Sequence, residues 1–367
     1  MKTELNITAL DKWLPDHKRP VIISGPCGAE TEKQLMQTAA GLAKLNRVTI
    51  FRSGIWKPRT RPNSFEGVGT IGLQWLKEVK NKYGFLTTVE VANAQHVEEA
   101  LKNNVDILWV GARTTVNPFS VQEIADSLKG IDIPVMVKNP IHADLQLWIG
   151  ALERINQAGI KKLIAIHRGF YTHDKAKYRN PPQWDLPIEL KTHFPDLPII
   201  CDPSHICGNT ELLLQVSQKA LNLNFDGLML ESHFDPAIAL SDKNQQLKPA
   251  ELGELLNELI VRTVKSTSEE FTNTLVQLRK VVDEVDEEIL KWVAKRMDLV
   301  EKIGEYKREN NITVLQLERW LDILKTRTSL AETKSMDVDF VRKLYQLIHK
   351  ESIRKQTEVL NTKTEKS

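Results

Sequence analysis

Cys27, His205, Glu231 and Asp242 are four potential metal ligands far apart in the sequence, and Arg52, Lys57, Arg113, Lys138 and Arg168 are cations just as scattered. What they share is position: each stands at the end of a short apolar run or in the loop beyond one. A thiolate, an imidazole and two carboxylates can hold a borderline divalent ion such as Mn, Fe, Co or Zn, and the set alone does not select among them. Cations gathered from separate runs onto one rim would form a positive bowl suited to phosphorylated, acidic substrates. Lys57, Arg59 and Arg61 add to it from a single loop. The whole chain carries a formal charge of only +2. That balance excludes a nucleic-acid binder whose affinity rests on a broad basic excess, so the basicity must be local.

The runs that would position these residues are Val21 to Ser24, Val48 to Phe51, Phe85 to Val91, Ile107 to Val110, Pro134 to Val137, Leu163 to Ile166, Leu197 to Ile200 and Gly227 to Leu230. Rich in Val, Ile and Leu with little polar alternation, they predict strands buried on both faces. Amphipathic stretches lie between them, among them Thr31 to Leu45, Ala94 to Lys102, Leu145 to Gln157 and Glu211 to Leu221, with Thr31 and Gln34 spaced as a capping box. Eight such units over residues 1–264, with a last helix from Pro249 to Val264, predict an α/β fold of the (β/α)8 barrel type. Chemistry in such a barrel gathers where the strands end, which also puts His167 and Asp202 at the rim.

Residues 265–270 are polar and aperiodic and read as a linker to a second domain, 271–367, which has no strand signal. Apolar residues at Leu275, Leu278, Val282, Val285, Ile289, Trp292, Val300 and Ile303 predict one long helix from Phe271 to about Glu309. Two shorter helices follow near Leu317 to Leu330 and Val338 to Leu360. At 1.5 Å per residue the long helix would span ~58 Å, and an apolar seam of that length predicts a partner chain. Arg296 and Lys307 fall within roughly 20° of each other on it, whereas Arg279 lies roughly 100° round and about 25 Å along. An antiparallel partner would have to bring Arg279 to them. Three cysteines, an odd number, predict a reducing compartment. The first residues lack a secretory core and no apolar run approaches the ~20 residues of a membrane span, so a cytoplasmic protein without a membrane partner is expected.

Gly-Pro-Cys-Gly-Ala-Glu (25–30), Lys-Pro-Arg-Thr (57–60), Ser-Phe-Glu-Gly (64–67), Gly-Ala-Arg (111–113), His-Arg-Gly-Phe (167–170), Asp-Pro-Ser-His (202–205) and Ala-Leu-Ser-Asp (239–242) resemble, in order, the 3-deoxy-D-arabino-heptulosonate 7-phosphate (DAHP) synthases of the Iβ subfamily. The resemblance implies condensation of phosphoenolpyruvate with erythrose 4-phosphate. It implies one divalent ion per barrel, manganese favoured over iron, cobalt or zinc, held by Cys27, His205, Glu231 and Asp242. Phosphoenolpyruvate would be held by Arg52, Lys57, Arg113, Lys138 and Arg168, and erythrose 4-phosphate by Lys57, Pro58, Arg59 and Thr60, with Lys57, Cys27 and His205 taking catalytic parts. A barrel acting on another aldose phosphate, as in octulosonate synthases, is the alternative, and Lys-Pro-Arg-Thr argues against it. The barrel starts almost at residue 1, so the amino-terminal regulatory domain of some members is expected to be absent.

Leu278-Arg279-Lys280, Ala294-Lys295-Arg296, Ile303-Gly304-Glu305-Tyr306-Lys307, Glu318-Arg319 and Gln346-Leu347-Ile348 with Ser352 and Gln356 resemble the all-helical chorismate mutases, intertwined dimers in which one arginine crosses over. The resemblance implies cofactor-free rearrangement of chorismate to prephenate. Arg279 of the other subunit, Arg296 and Arg319 would grip the substrate carboxylates or orient the site, Lys307 and Gln356 would donate to its ether oxygen, and Gln316 and Ser352 would line the remainder. Gln316 and Trp320 depart from the acidic residue and glutamate that many relatives carry there for contact with the substrate hydroxyl. Together the resemblances imply a fused shikimate-pathway enzyme, a homodimer or higher, whose helical module also senses prephenate or chorismate and throttles the barrel. A helical module that only regulates and dimerises is the competing expectation.

Overall fold

The computed structural model describes residues 4–14, 19–57, 64–173, 177–264 and 266–362, in two compact units, 1–264 and 265–367. In the first unit, strands β1 (Val21–Gly25), β2 (Ile50–Arg52), β3 (Leu86–Val91), β4 (Ile107–Val110), β5 (Val135–Lys138), β6 (Leu163–His167), β7 (Ile199–Cys201) and β8 (Gly227–Glu231) form a closed parallel barrel in sequence order. The ring shuts through β1 and β8, in register from Val21 opposite Gly227 to Gly25 opposite Glu231. Each apolar run holds a strand, and several strands extend one residue past the run because the ladder still includes Arg52, Lys138, His167 and Glu231.

Helices α1 (Leu10–Trp13), α2 (Glu32–Ala43), α3 (Ile71–Tyr83), α4 (Ala94–Lys102), α5 (Ala112–Thr115), α6 (Pro118–Ser127), α7 (Leu145–Gln157), α8 (Asp185–His193), α9 (Pro203–Cys207), α10 (Leu213–Asn222) and α11 (Pro249–Glu258) belong to the same unit. Thr31 caps α2 by accepting from the Gln34 N–H at 3.1 Å, but the return bond from Gln34 goes to the N–H of Glu30 rather than Thr31, so the box closes one residue early. The helix read as Pro249 to Val264 stops at Glu258. Its chain turns extended at Leu259, and the amide of Gln218 on α10 then takes both the N–H and the carbonyl of Ile260. No helix among the described residues is long and apolar enough to cross a membrane.

Alternation along the strands separates two cores. Ile23, Ile50, Ile107, Trp109, Met136, Ile164, Ile166, Ile200 and Met229 fill the barrel interior, closed by Leu10 and Leu14. The opposite faces, such as Ile22, Phe51, Leu108 and Val137, pack under the helices.

The second unit is α12 (Glu269–Glu309), α13 (Leu317–Thr333) and α14 (Val338–Asn361). The long helix begins two residues inside the segment read as linker because Ser268 caps it, accepting from the N–H of Phe271 at 3.2 Å. Both other helices pack on α14. Gly304 lets α12 approach closely, since a Cβ there would meet Gln356 and Val359 at 3.3 Å. Over the first half of α12 the apolar residues Val276, Leu278, Val281, Val282, Val285 and Ile289 are exposed.

Candidate functional site

Two residues beyond an inward-facing core residue, the chain faces inward again. Thus Ile50, Met136, Ile166, Ile200 and Met229 are followed at that spacing by Arg52, Lys138, Arg168, Asp202 and Glu231. Trp109 roofs the interior core beneath them. The Arg52 guanidinium lies 5.1 Å and the Lys138 ammonium 5.8 Å from its ring centroid, and its Nε1–H donates to Glu90 at 3.2 Å. His167 has the opposite parity. It sits fully buried among Trp148, Phe170, Trp184 and Phe225, facing the helices rather than the rim, and burial followed by the charge of Arg168 pushes its pKa down to about 3.

The candidate ligands come together as two pairs. Cys27 Sγ lies 3.1 Å from Asp242 Oδ2, with the Lys57 ammonium donating to the same sulfur at 2.7 Å. His205 Nε2 faces Glu231 Oε1 at 3.8 Å, while its Nδ1 is tied to Asp202 at 2.8 Å. Among the described residues no three His, Cys, Asp or Glu side chains are drawn close enough to form a metal centre by themselves. The donors nevertheless fit a divalent ion. A carboxylate fixes the far nitrogen of His205, the arrangement that orients an imidazole ligand. Glu231 Oε1 is buried without a hydrogen bond, 3.2 Å from its ion-pair partner Arg52. Burial works against ionisation of Glu231, yet His205 and Arg52 outweigh it and hold its pKa below the usual value; Arg179 and His205 do the same for Asp242.

Burial and then Glu231 push the Cys27 thiol up to about 12, so it is protonated near neutrality. A thiol must ionise to bind metal. Uptake of one divalent ion is therefore expected to release about one proton per chain near pH 7. A titration with a pH indicator in weak buffer measures this, and zero release would exclude Cys27 as a ligand.

Several residues at this rim escape a reading of sequence. Arg179 donates to Asp242 at 2.9 Å and to Gln245 at 2.8 Å, and Gln245 donates onward to Glu231 at 2.8 Å, so one bracket orients both carboxylates. Asn139 accepts from the Arg168 N–H at 2.7 Å and donates to the Gly169 carbonyl at 2.8 Å. Asn180 donates to the His205 carbonyl at 2.6 Å. Gly169 has φ +76°, and any Cβ there would lie 2.1 Å from the Asn180 carbonyl oxygen. Strand parity flags Glu90 and Trp109, but no local signal marks Arg179, which lies in the loop between β6 and α8. Arg113 is exposed on α5 and lies within electrostatic reach of Arg168, whose pKa burial, Arg179 and Arg113 lower to about 10 against the pull of Asp202. Pro58, Arg59 and Thr60 lie outside the described residues.

In the helical unit, Arg296 donates to Ser352 at 2.6 Å, Lys307 donates to the Val314 carbonyl at 2.6 Å, and Gln356 is buried beside them with its Oε1 unpartnered. Burial lowers the pKa of both cations. Gln316 precedes the first turn of α13 without capping it through its side chain. Arg319 is exposed and paired with Asp322 at 2.6 Å, and Arg279 is exposed on the uncovered half of α12. One chain therefore assembles Arg296, Lys307, Ser352 and Gln356 and leaves Arg279 apart.

Fold and rim define a (β/α)8-barrel enzyme whose mouth suits acidic small molecules, joined to a helical module that carries Arg296, Lys307, Ser352 and Gln356. The chain belongs to the DAHP synthetase I family, whose model matches residues 10–267, and residues 278–357 match chorismate mutase type II. It thus carries a DAHP synthase domain and a chorismate mutase domain. It is similar to phospho-2-dehydro-3-deoxyheptonate aldolase of Thermotoga maritima, 34% identical over 238 residues, 65% of this chain and 68% of the relative. The crystal structure of that aldolase superposes with a TM-score of 0.60 at 28% identity, covering 70% of this chain and 76% of the other. Similarity extends to 2-dehydro-3-deoxyphosphooctonate aldolase of Paraburkholderia xenovorans, 27% identical over 66% of this chain and 91% of that protein. The bifunctional chorismate mutase/prephenate dehydratase of Buchnera aphidicola is 33% identical over 89 residues, 24% of this chain and 23% of its own length.

Proposed function

We propose that the barrel condenses phosphoenolpyruvate with erythrose 4-phosphate to DAHP and phosphate, and that the helical domain converts chorismate to prephenate. The observation that carries the first reading is the pair Arg52 and Lys138 over Trp109, with Arg52 ion-paired to Glu231 of the Cys27, His205, Glu231 and Asp242 set and Arg168 at the same inward strand parity. Arg52, Lys57, Arg113, Lys138 and Arg168 bind and orient the phosphate and carboxylate of the enol, and their preorganised charge stabilises the anion that develops. C3 of the enol attacks the aldehyde carbon, water adds at C2, and phosphate leaves from the resulting tetrahedral carbon. Cys27, His205, Glu231 and Asp242 would hold the divalent ion, manganese favoured, which as a Lewis acid polarises the aldehyde or activates the water. Lys57, the first residue of the Lys-Pro-Arg-Thr segment, lies against the Cys27 sulfur of the ligand set.

The mutase reading is supported by the basic pocket of Arg296 and Lys307 with Ser352 and Gln356. A pericyclic rearrangement needs no nucleophile or cofactor, only a held conformer and donors at the breaking C–O bond. The bare apolar half of α12 supports a homodimer in which Arg279 and the pocket come from different subunits. Prephenate inhibition of the barrel through the helical domain, and a cytoplasmic setting, belong to the same proposal. The octulosonate-type relatives keep arabinose 5-phosphate as a second aldose to try.

One purified sample, assayed for both activities with each aldose, with and without chelator and prephenate, tests this. Chelation is expected to abolish only the synthase, erythrose 4-phosphate to be the preferred aldose, and prephenate inhibition to disappear when residues 271–367 are removed. Chelator-resistant condensation would sink the metal assignment, and inhibition surviving the truncation would sink the feedback assignment.

A further inference from the structure

One side chain of the helical pocket has no part in the chemistry above. His349 precedes Ser352 by three residues and Gln356 by seven on α14, so it falls within roughly 20° of Gln356 on the same helix face. Its ring stacks on Trp320 of α13, centroids 3.9 Å apart and planes 9° from parallel, which fixes the imidazole's orientation. Its Nε2 is buried without a hydrogen-bond partner. Among the described residues of the helical unit, Gln356 Oε1 is the one other buried side-chain polar atom in that condition. Burial, then the charges of Arg296 and Lys307 on α12, lower the pKa of His349 below the ordinary histidine value. A neutral imidazole has one nitrogen able to accept.

Arg296 and Lys307 are donors, suited to carboxylates and to an ether oxygen. Chorismate also carries a ring hydroxyl, whose proton needs an acceptor. The indole of Trp320 offers none. Gln356, whose Nε2 donates to the Ser352 carbonyl at 3.3 Å, is already given to the ether oxygen by the mutase reading, which leaves His349 Nε2 as the buried acceptor on that face with no assigned part.

We propose that His349 is a substrate-contacting residue of the mutase pocket, its Nε2 accepting the hydrogen bond of the chorismate ring hydroxyl, and that Trp320 positions it. The inference rests on the mutase reading and adds to that site a specificity residue that takes over the acceptor role lost with Trp320. A site built to pair a hydroxyl discriminates against the analogue lacking it.

The test measures kcat/KM of the full-length chain for chorismate and for the analogue in which hydrogen replaces the ring hydroxyl. The unaltered enzyme is expected to prefer chorismate by on the order of 10- to 100-fold, the worth of a buried hydrogen bond and its unmade partner. His349→Leu should shrink that preference to about twofold, while His349→Gln, whose amide oxygen can accept, keeps most of it. A His349→Leu enzyme with the full preference overturns the proposal. Should that variant lose its helical circular dichroism, Trp320→Phe, which keeps a stacking ring, is compared with Trp320→Leu, which does not. The preference should persist in the first and fall in the second, and equal preference in both overturns the proposal. An unaltered enzyme that converts neither compound overturns the mutase reading itself.

Discussion

Asp202→Asn is expected to destabilise the barrel by about 3–5 kcal/mol, the cost of stranding one member of a buried ion pair. Asp202 is fully buried, 2.8 Å from the Lys138 ammonium and 2.8 Å from His205 Nδ1, and its carboxylate caps α9 by accepting from the His205 N–H at 3.1 Å. Asparagine still caps a helix, so the substitution removes the charge and little else. Lys138 would then be buried without its counter-ion, and His205 Nδ1 would face a neutral amide in place of the carboxylate that orients it. Metal affinity should fall 10- to 100-fold, as for other losses behind a ligand imidazole. Burial raises the pKa of Asp202, but His205, Lys138 and Arg52 overcome it and hold the group well below the usual aspartate value. Because the folded value is depressed, the contribution is complete above the ordinary range near ~3.9 and is lost as pH falls below it toward the folded value. Urea midpoints of the barrel transition should therefore separate widely at pH 7 and converge on acidification. Coincident midpoints at pH 7 would contradict the pairing.

Lys307→Met should lower mutase kcat by about 10²–10³-fold while leaving synthase kcat unchanged. Lys307 is half-buried near the end of α12, its ammonium held by the Val314 carbonyl at 2.6 Å, so the donor is anchored before substrate arrives. Methionine keeps the length and the apolar stem and removes the charge. Steady-state assays of both reactions on one sample distinguish the cases. Parallel loss of both activities would point to folding, and a mutase within twofold of the parent would remove Lys307 from the donor role.

The barrel is legible in the sequence because strands buried on both faces read as unbroken apolar runs, and four of the eight are followed directly by a charged residue or a histidine, namely Arg52, Lys138, His167 or Glu231. That interruption marks Arg52, Lys138 and Glu231 but says nothing about direction. His167 ends its run just as they do and faces the other way, because strand parity counts from Ile164 and Ile166, not from the end of the run. Helical spacing likewise pairs Arg296 with Lys307 on a single helix. Contacts made by the crossing of elements carry no such signature: Arg179 reaches Asp242 across 63 residues, and Trp320 meets His349 only because α13 packs on α14.

The segments carrying Lys138, Arg168 and His205 are fastened to one another by the amides of Asn139 and Asn180, and Thr115 of α5 ties the Lys138 carbonyl to the helical layer. A change at either amide is thus expected to loosen neighbouring segments of the mouth in concert, and one at Thr115 to reach it from the helical side.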